Sequence, residues 1–247
     1  MPVTIDVRSN ADAAVIDAAY ADLRHVDAIF SPFRSDSEVS RINAGALVIA
    51  DADPLVREVL ALCDRYEALT RGYFSPWRER RLDPSGLVKG WAIARVAALL
   101  DAAGSRDYFV DAGGDVLTRG HAEPGQPWRV GVRHPVERDK VARVILASDL
   151  AVATSGTYEK GEHIWDPHTG AAATALLSMT VVGPDIITAD VLATAAFAMG
   201  RAGLDLVAEQ PGYDAFAIGH DLRGVWTSGF ETRCAPADLP ITADFPG

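Results

Sequence analysis

Hydrophobic spacing along this chain is helical at first, turns strand-like near Gly104, and becomes helical again only once, late. That order limits the folds open to it. From Asp12 to Phe30 apolar residues recur at helical spacing (Val15, Ile16, Leu23, Val26, Ile29), after a strand-like Thr4–Arg8. A polar loop then leads into a short Val39–Asn43 segment. Pro54 suits the first position of a helix through Thr70, which Gly72 ends. Leu87–Ala103 predicts a third long helix, with Gly104 as its stop. The strand candidates that follow are Tyr108–Asp111, Trp128–Arg133, Val141–Leu146, Ala151–Thr154, His163–Asp166, Met179–Val182, Ala215–Ile218 and Gly224–Thr227. A helix from Ile187 to Met199, closed by Gly200, and a short Leu204–Glu209 helix complete the pattern. Helices grouped on either side of a strand run predict an α+β sandwich of mainly antiparallel sheet, and not alternating βαβ units. Neither Gly-x-Gly-x-x-Gly nor a phosphate-binding P-loop is present.

At 247 residues the chain can bury one core or two lobes, and a single domain over residues 1–247 is expected. A faint echo links Phe109–Gly120 with Phe216–Gly224; it fits either duplicated lobes or two hairpins with similar turn chemistry. The net charge of −11 argues against a nucleic-acid or anionic-membrane surface, both of which need a basic footprint. Any phosphorylated ligand must therefore meet local positive charge set against an unfavourable overall field. Cys63 and Cys234 are isolated and fit no metal spacing. No leader-like basic and apolar run opens the chain, and no apolar stretch approaches a membrane span. A cytoplasmic location without a transmembrane segment is the expectation.

Several polar islands could carry chemistry. Lys89 is the only lysine in the first 139 residues, and it sits where the turn Leu82-Asp83-Pro84-Ser85-Gly86 runs into a helix. A helix start offers free N–H groups and a positive dipole end, and an ammonium is a compact point charge, so a pyrophosphate would suit this place. The plainer reading is a solvated surface lysine. Asp190 and Thr194 stand four apart on the late helix, which puts both on one face as hard oxygen donors for magnesium. Their plainer reading is a first-turn acid and a tolerated small residue. His163 precedes an Asp166-Pro167 turn closed by Thr169-Gly170 and could serve as a base or ligand contact, or be structural. Thr154-Ser155-Gly156-Thr157-Tyr158 puts small hydroxyls at a strand end, suited to a turn or to phosphate. No serine–histidine–acid triad and no glycosidase-like carboxylate pair stands out.

Taken in order, these islands resemble the ApbE family of flavin transferases. The resemblance is carried by Phe30–Asn43, Gly72–Pro76, Asp83–Trp91, Asp111-Ala112-Gly113-Gly114-Asp115, Trp128–Val132, Ala153–Tyr158, His163–Gly170 and Ala189–Gly200. Each motif is modest; their collinear set, spanning nearly the whole chain, is specific. The resemblance implies an ApbE-like (T-fold-like) sandwich that binds FAD in a cleft. It also implies magnesium-dependent transfer of the FMN phosphoryl group to a threonine or serine hydroxyl of an acceptor flavoprotein, releasing AMP. Manganese is the alternative metal. Position by position, Asp190 and Thr194 match side-chain metal ligands, and Gly86 matches a further metal contact that here must be its backbone carbonyl. Phe33, Phe74, Ser75, Asp83, Lys89 and His163 fall on or beside flavin- or nucleotide-contacting positions; Asn43 and Thr154 lie in matching segments near the same ligand. In that mechanism Lys89 screens charge near the leaving AMP, and His163, or a carboxylate such as Asp83, takes the acceptor's proton. Relatives commonly begin the domain with Met-Gly-Thr, have a longer segment where Tyr73–Asp83 stands, and carry acids where Ser75 and Ala94 stand. Rival readings are an FAD pyrophosphatase, with water as acceptor, and a non-catalytic flavin-binding protein.

Overall fold

The computed structural model describes residues 2–8, 12–137, 139–157 and 164–236. The first half runs β1 (Val3–Val7), α1 (Ala13–Phe30), α2 (Glu38–Asn43), α3 (Pro54–Leu69), β2 (Trp77–Arg78), β3 (Arg81–Leu82), α4 (Ser85–Ala102), β4 (Tyr108–Ala112) and β5 (Asp115–Arg119). The second runs β6 (Trp128–Arg133), β7 (Val141–Ala147), β8 (Ala151–Gly156), β9 (Ser178–Gly183), α5 (Ile186–Met199), α6 (Gly203–Ala208), β10 (Asp214–Ile218) and β11 (Gly224–Trp226). Helix ends follow local chemistry. Asp12, Ser37, Asp53 and Asp185 each accept an N–H of the first turn of α1, α2, α3 and α5, replacing a bond the helix cannot make internally. Gly104, at φ 83°, closes α4 by letting the Ser105 N–H reach back to the Leu100 carbonyl at 3.0 Å.

One seven-stranded antiparallel sheet, in the order β1-β4-β5-β8-β9-β10-β11, forms the middle layer. The helices cover one face, where Phe30, Trp91, Leu100, Val110, Leu117, Val181, Leu192 and Phe197 share a core. The β6–β7 hairpin covers the other, burying Trp128, Val130 and Ile145 against Val116, Val152, Val182 and Phe216. Strand alternation assigns the faces. Val152 pairs with Val182 toward the hairpin, while Ala153 pairs with Val181 toward the helices. With both faces covered, β9 and β10 are buried throughout, so apolar residues fall on both of their faces and Ser178, Thr180 and Asp214 are buried with them.

The α+β sandwich of mainly antiparallel sheet is therefore present. Two elements were not legible as strands: β5, and the small β2–β3 hairpin. The strand expected at His163–Asp166 is corrected: Trp165 makes only an isolated bridge to Ala172, because the chain turns at Asp166–Gly170. The two echoing segments are the hairpins β4–β5 and β10–β11 of one sheet. The stretch Ile186–Ala208 is long and apolar enough to cross a membrane, yet nine residues of α5, Asp190 among them, are buried in this fold. Burial on all sides accounts for its apolar composition.

Candidate functional site

The site begins where α4 crosses α5. A Cβ on Gly90 would stand 2.8 Å from the Ile186 carbonyl oxygen and 3.0 Å from Asp190 Cβ, so glycine is what permits this approach. At that distance the Gly90 N–H donates to Asp190 Oδ2 at 2.9 Å. Asp190 is thus a buried carboxylate anchored by the backbone of the opposing helix.

Lys89, one residue earlier, lies between two carboxylates. Its Nζ is 2.6 Å from Asp115 Oδ2 and 4.0 Å from Asp190 Oδ1. Asp115 opens β5 just after Gly113 and Gly114, whose φ values of 62° and 89° make the hairpin turn that aims its side chain inward. Its other oxygen accepts the Thr154 N–H of β8 at 3.0 Å. Asp111, across the same turn, accepts the Gly114 N–H at 2.8 Å. Burial pushes the Asp190 carboxyl up to about 8; the Lys89 ammonium pulls it down, and Asp115 adds to the rise. Burial also raises Asp111, against the lowering effect of the Gly114 N–H. One ammonium facing two buried carboxylates leaves a deficit of positive charge that a proton or a cation must fill.

One turn along α5 from Asp190, Thr194 Oγ1 lies 3.3 Å from Ser155 Oγ of β8. A side chain at Gly86 would come within 3.3 Å of the Phe74 ring and 3.6 Å of Thr194 Oγ1, so the bare glycine keeps the space beside that hydroxyl clear. Thr154 Oγ1 is turned to Thr180 Oγ1 at 2.9 Å, and its N–H holds Asp115. Lys89, Asp190, Thr194, Gly86, Phe74 and Thr154 are therefore brought together.

The remaining expected residues lie around this group. Asn43 donates to the Leu82 carbonyl at 2.8 Å and accepts the Leu82 N–H at 2.7 Å, pinning the end of β3 just before Asp83. Asp83 Oδ1 accepts the Ser85 N–H at 3.1 Å at the start of α4, and Ser75 Oγ accepts the Trp77 N–H at 3.2 Å. Phe33 stands 87% exposed on the loop before α2. His163 lies outside the described residues. Nearby, the Arg78 guanidinium rests over the Trp165 ring at 5.3 Å, tying the β2–β3 hairpin to the segment after His163. Asp111 and Asp115 enter the sequence reading only as part of a matching motif, and Ser155 only within the Thr154–Tyr158 hydroxyl run; none was given a role of its own, although the Gly-Gly turn between two aspartates was a usable sign. Two shallow cavities of about 330 and 240 Å³ lie instead around Asp101 and Arg119. Asp101 stands ~18 Å along α4 from Lys89; the second cavity reaches back to Ala94 and to Ile186 at the helix crossing, and neither cavity is lined by Lys89, Asp190 or Thr194.

The donor set fits a hard dication. Among the described residues no three His, Cys, Asp or Glu side chains cluster as a metal-binding group. What Asp190, Thr194 and Gly86 offer is a carboxylate, a hydroxyl and a backbone carbonyl, all oxygen, with few protein ligands. Magnesium tolerates that when a phosphorylated ligand and water complete its shell. The buried Asp190 carboxylate supplies the charge such an ion requires.

The chain is similar to known proteins of one family. The ApbE family model matches residues 1–79 and 77–217. The FAD:protein FMN transferase of Vibrio cholerae is 36% identical over 133 residues, 50% of this chain and 40% of that protein. Its Treponema pallidum counterpart is 33% identical over 177 residues, 64% of this chain and 49% of that one. The Rhodobacter capsulatus counterpart is 30% identical over 199 residues, 77% of this chain and 35% of that one. The matched regions thus span less than half the length of these relatives. Among solved structures, flavin transferase ApbE from Vibrio cholerae superposes with a TM-score of 0.78 at 24% identity, covering 94% of this chain and 95% of that chain. The ApbE protein of Thermotoga maritima gives 0.80 at 23% identity, covering 94% of each chain. At such identities these structures establish the fold.

Proposed function

Because the chain belongs to the ApbE family, we propose that it is an FAD:protein FMN transferase, moving the FMN phosphoryl group of FAD onto a threonine or serine of an acceptor flavoprotein. The carrying observation is the buried Asp190, which stands beside Lys89 and shares a helical face with Thr194, itself packed against Gly86. In the reaction the acceptor's hydroxyl oxygen bonds to the phosphorus of the FMN half. The bond from that phosphorus to the bridging oxygen breaks, and its electron pair leaves with AMP. The hydroxyl proton passes to a base.

Asp190, Thr194 and the Gly86 carbonyl would hold magnesium, which when bound neutralises the diphosphate and stabilises charge on the leaving oxygen. Lys89 brings a cationic charge to the same place from the first turns of α4, where the helix dipole adds to it. Phosphoryl transfer asks mainly for such positioning and neutralisation. The helix crossing at Gly90 and the strand pair β5–β8 provide the rigid frame. Proton removal falls to His163, or to Asp83, which is exposed and accepts one backbone N–H. Asn43, by pinning Leu82, sets where Asp83 and the start of α4 stand.

AMP release measured with FAD and magnesium, with and without a purified acceptor flavoprotein domain, tests this reading. Release that depends on the acceptor is expected. Equal release without it means water is the acceptor and the protein is an FAD pyrophosphatase. Intact FAD retained as a yellow complex after magnesium is added means the protein only binds flavin.

A further inference from the structure

We propose that Asp115 is a positioning residue whose task is to hold the Lys89 ammonium away from Asp190, so that Asp190 stays available to a divalent cation. The inference rests on the reading above that Asp190 ligates the metal. Three observations carry it.

The first is the inequality of distances: Lys89 Nζ is 2.6 Å from Asp115 and 4.0 Å from Asp190. The second is that both carboxylates are fixed and the ammonium is the adjustable member. The Thr154 N–H holds Asp115 at 3.0 Å and the Gly90 N–H holds Asp190 at 2.9 Å, whereas the lysine head rides on a flexible four-carbon stem. The third is burial. Asp115 is 1% exposed at its side chain and Lys89 22%, so water screens their attraction poorly and cannot replace either charge. Without the Asp115 charge, Asp190 is the remaining carboxylate within 4.0 Å of Lys89 among the described residues, and the ammonium would then compete with a dication for the same oxygens.

A purely structural ion pair would behave differently. Its loss would lower thermal stability without making cation affinity depend on Lys89. The test therefore uses manganese alone, without FAD, and follows free Mn²⁺ by electron paramagnetic resonance. Asp115→Asn, which keeps an acceptor for the Thr154 N–H, should weaken Mn²⁺ binding at least tenfold. Adding Lys89→Met in the same chain removes the competitor and should bring affinity back to within threefold of wild type.

Unchanged Mn²⁺ affinity in Asp115→Asn would overturn the proposal. So would a double variant as weak as the single one, since Asp115 would then be a ligand or a part of the fold. The double variant carries neither the Lys89 nor the Asp115 charge, so it decides the matter by itself if circular dichroism shows Asp115→Asn to be unfolded. Asp190→Asn reports separately on the functional reading: Mn²⁺ binding as tight as wild type there would remove Asp190 from the metal site, whatever Asp115 does.

Discussion

Burial raises the Asp190 carboxyl from its ordinary value of 3.8 to about 8, so an unfolded chain gives up this proton at a lower pH than the folded one does. Between those two values the folded state binds more protons than the unfolded one, so the stability owed to this group falls as pH rises through the window. In chelator, wild type should therefore lose more melting temperature between pH 5 and pH 8 than Asp190→Asn does; parallel curves would refute the assignment. On the proposed reading magnesium takes the ionised carboxylate, so the stabilisation it adds should be larger at pH 8 than at pH 6. Lys89→Met tests the ion pair from the other side. It leaves the Asp115 carboxylate buried without its Lys89 counter-ion, with the Thr154 N–H still in place; breaking a buried ion pair typically costs about 3–5 kcal/mol and should show as a lower urea midpoint. At this scale the sequence was legible where spacing is local. Asp190 and Thr194 share a helical face and could be paired by counting, and Lys89 stood out among arginines. Asp115 could not be paired with Lys89, because only the fold brings β5 to α4.

Gly90 shows how an element boundary can be set by a missing side chain. Gly90→Ala drives a methyl group into the Ile186 carbonyl and Asp190 Cβ and should cost about 1–3 kcal/mol, as overpacking does. Magnesium-dependent turnover should fall with it, because the same shift moves the N–H that anchors Asp190. Wild-type stability in that variant would mean the helices cross with more room than described. Asn43→Ala removes both bonds to Leu82, and its expected signature is a higher KM for FAD with little change in global stability. The β2–β3 hairpin these bonds hold was unreadable for a physical reason. Glu79 and Arg80 occupy its turn at φ 48° and 68°, where glycine or asparagine is the usual sign. Strand β5 escaped for another reason: it is buried on both faces and carries Asp115 and Thr118 inward, so it shows no polar–apolar alternation.

Across the whole molecule the fold class followed from the order of helical and strand-like segments, because helices grouped outside a strand run leave a layered sandwich as the economical burial of both. The sheet order did not follow. The β6–β7 hairpin leaves the sheet to cover its outer face, so β5 pairs with β8, an arrangement that no local pattern encodes. Since one sheet serves both cores, Trp91 on the helix side and Trp128 on the hairpin side should report the same unfolding transition as far-UV circular dichroism. The most direct measurement of the central claim, that an oxygen-lined face of α5 supports FMN transfer, is the intact mass of an acceptor flavoprotein after incubation with FAD. With wild-type protein and magnesium the acceptor should gain the mass of one FMN, and neither chelator nor Asp190→Asn should allow it. Equal gain with Asp190→Asn, or none with wild type, would contradict the account.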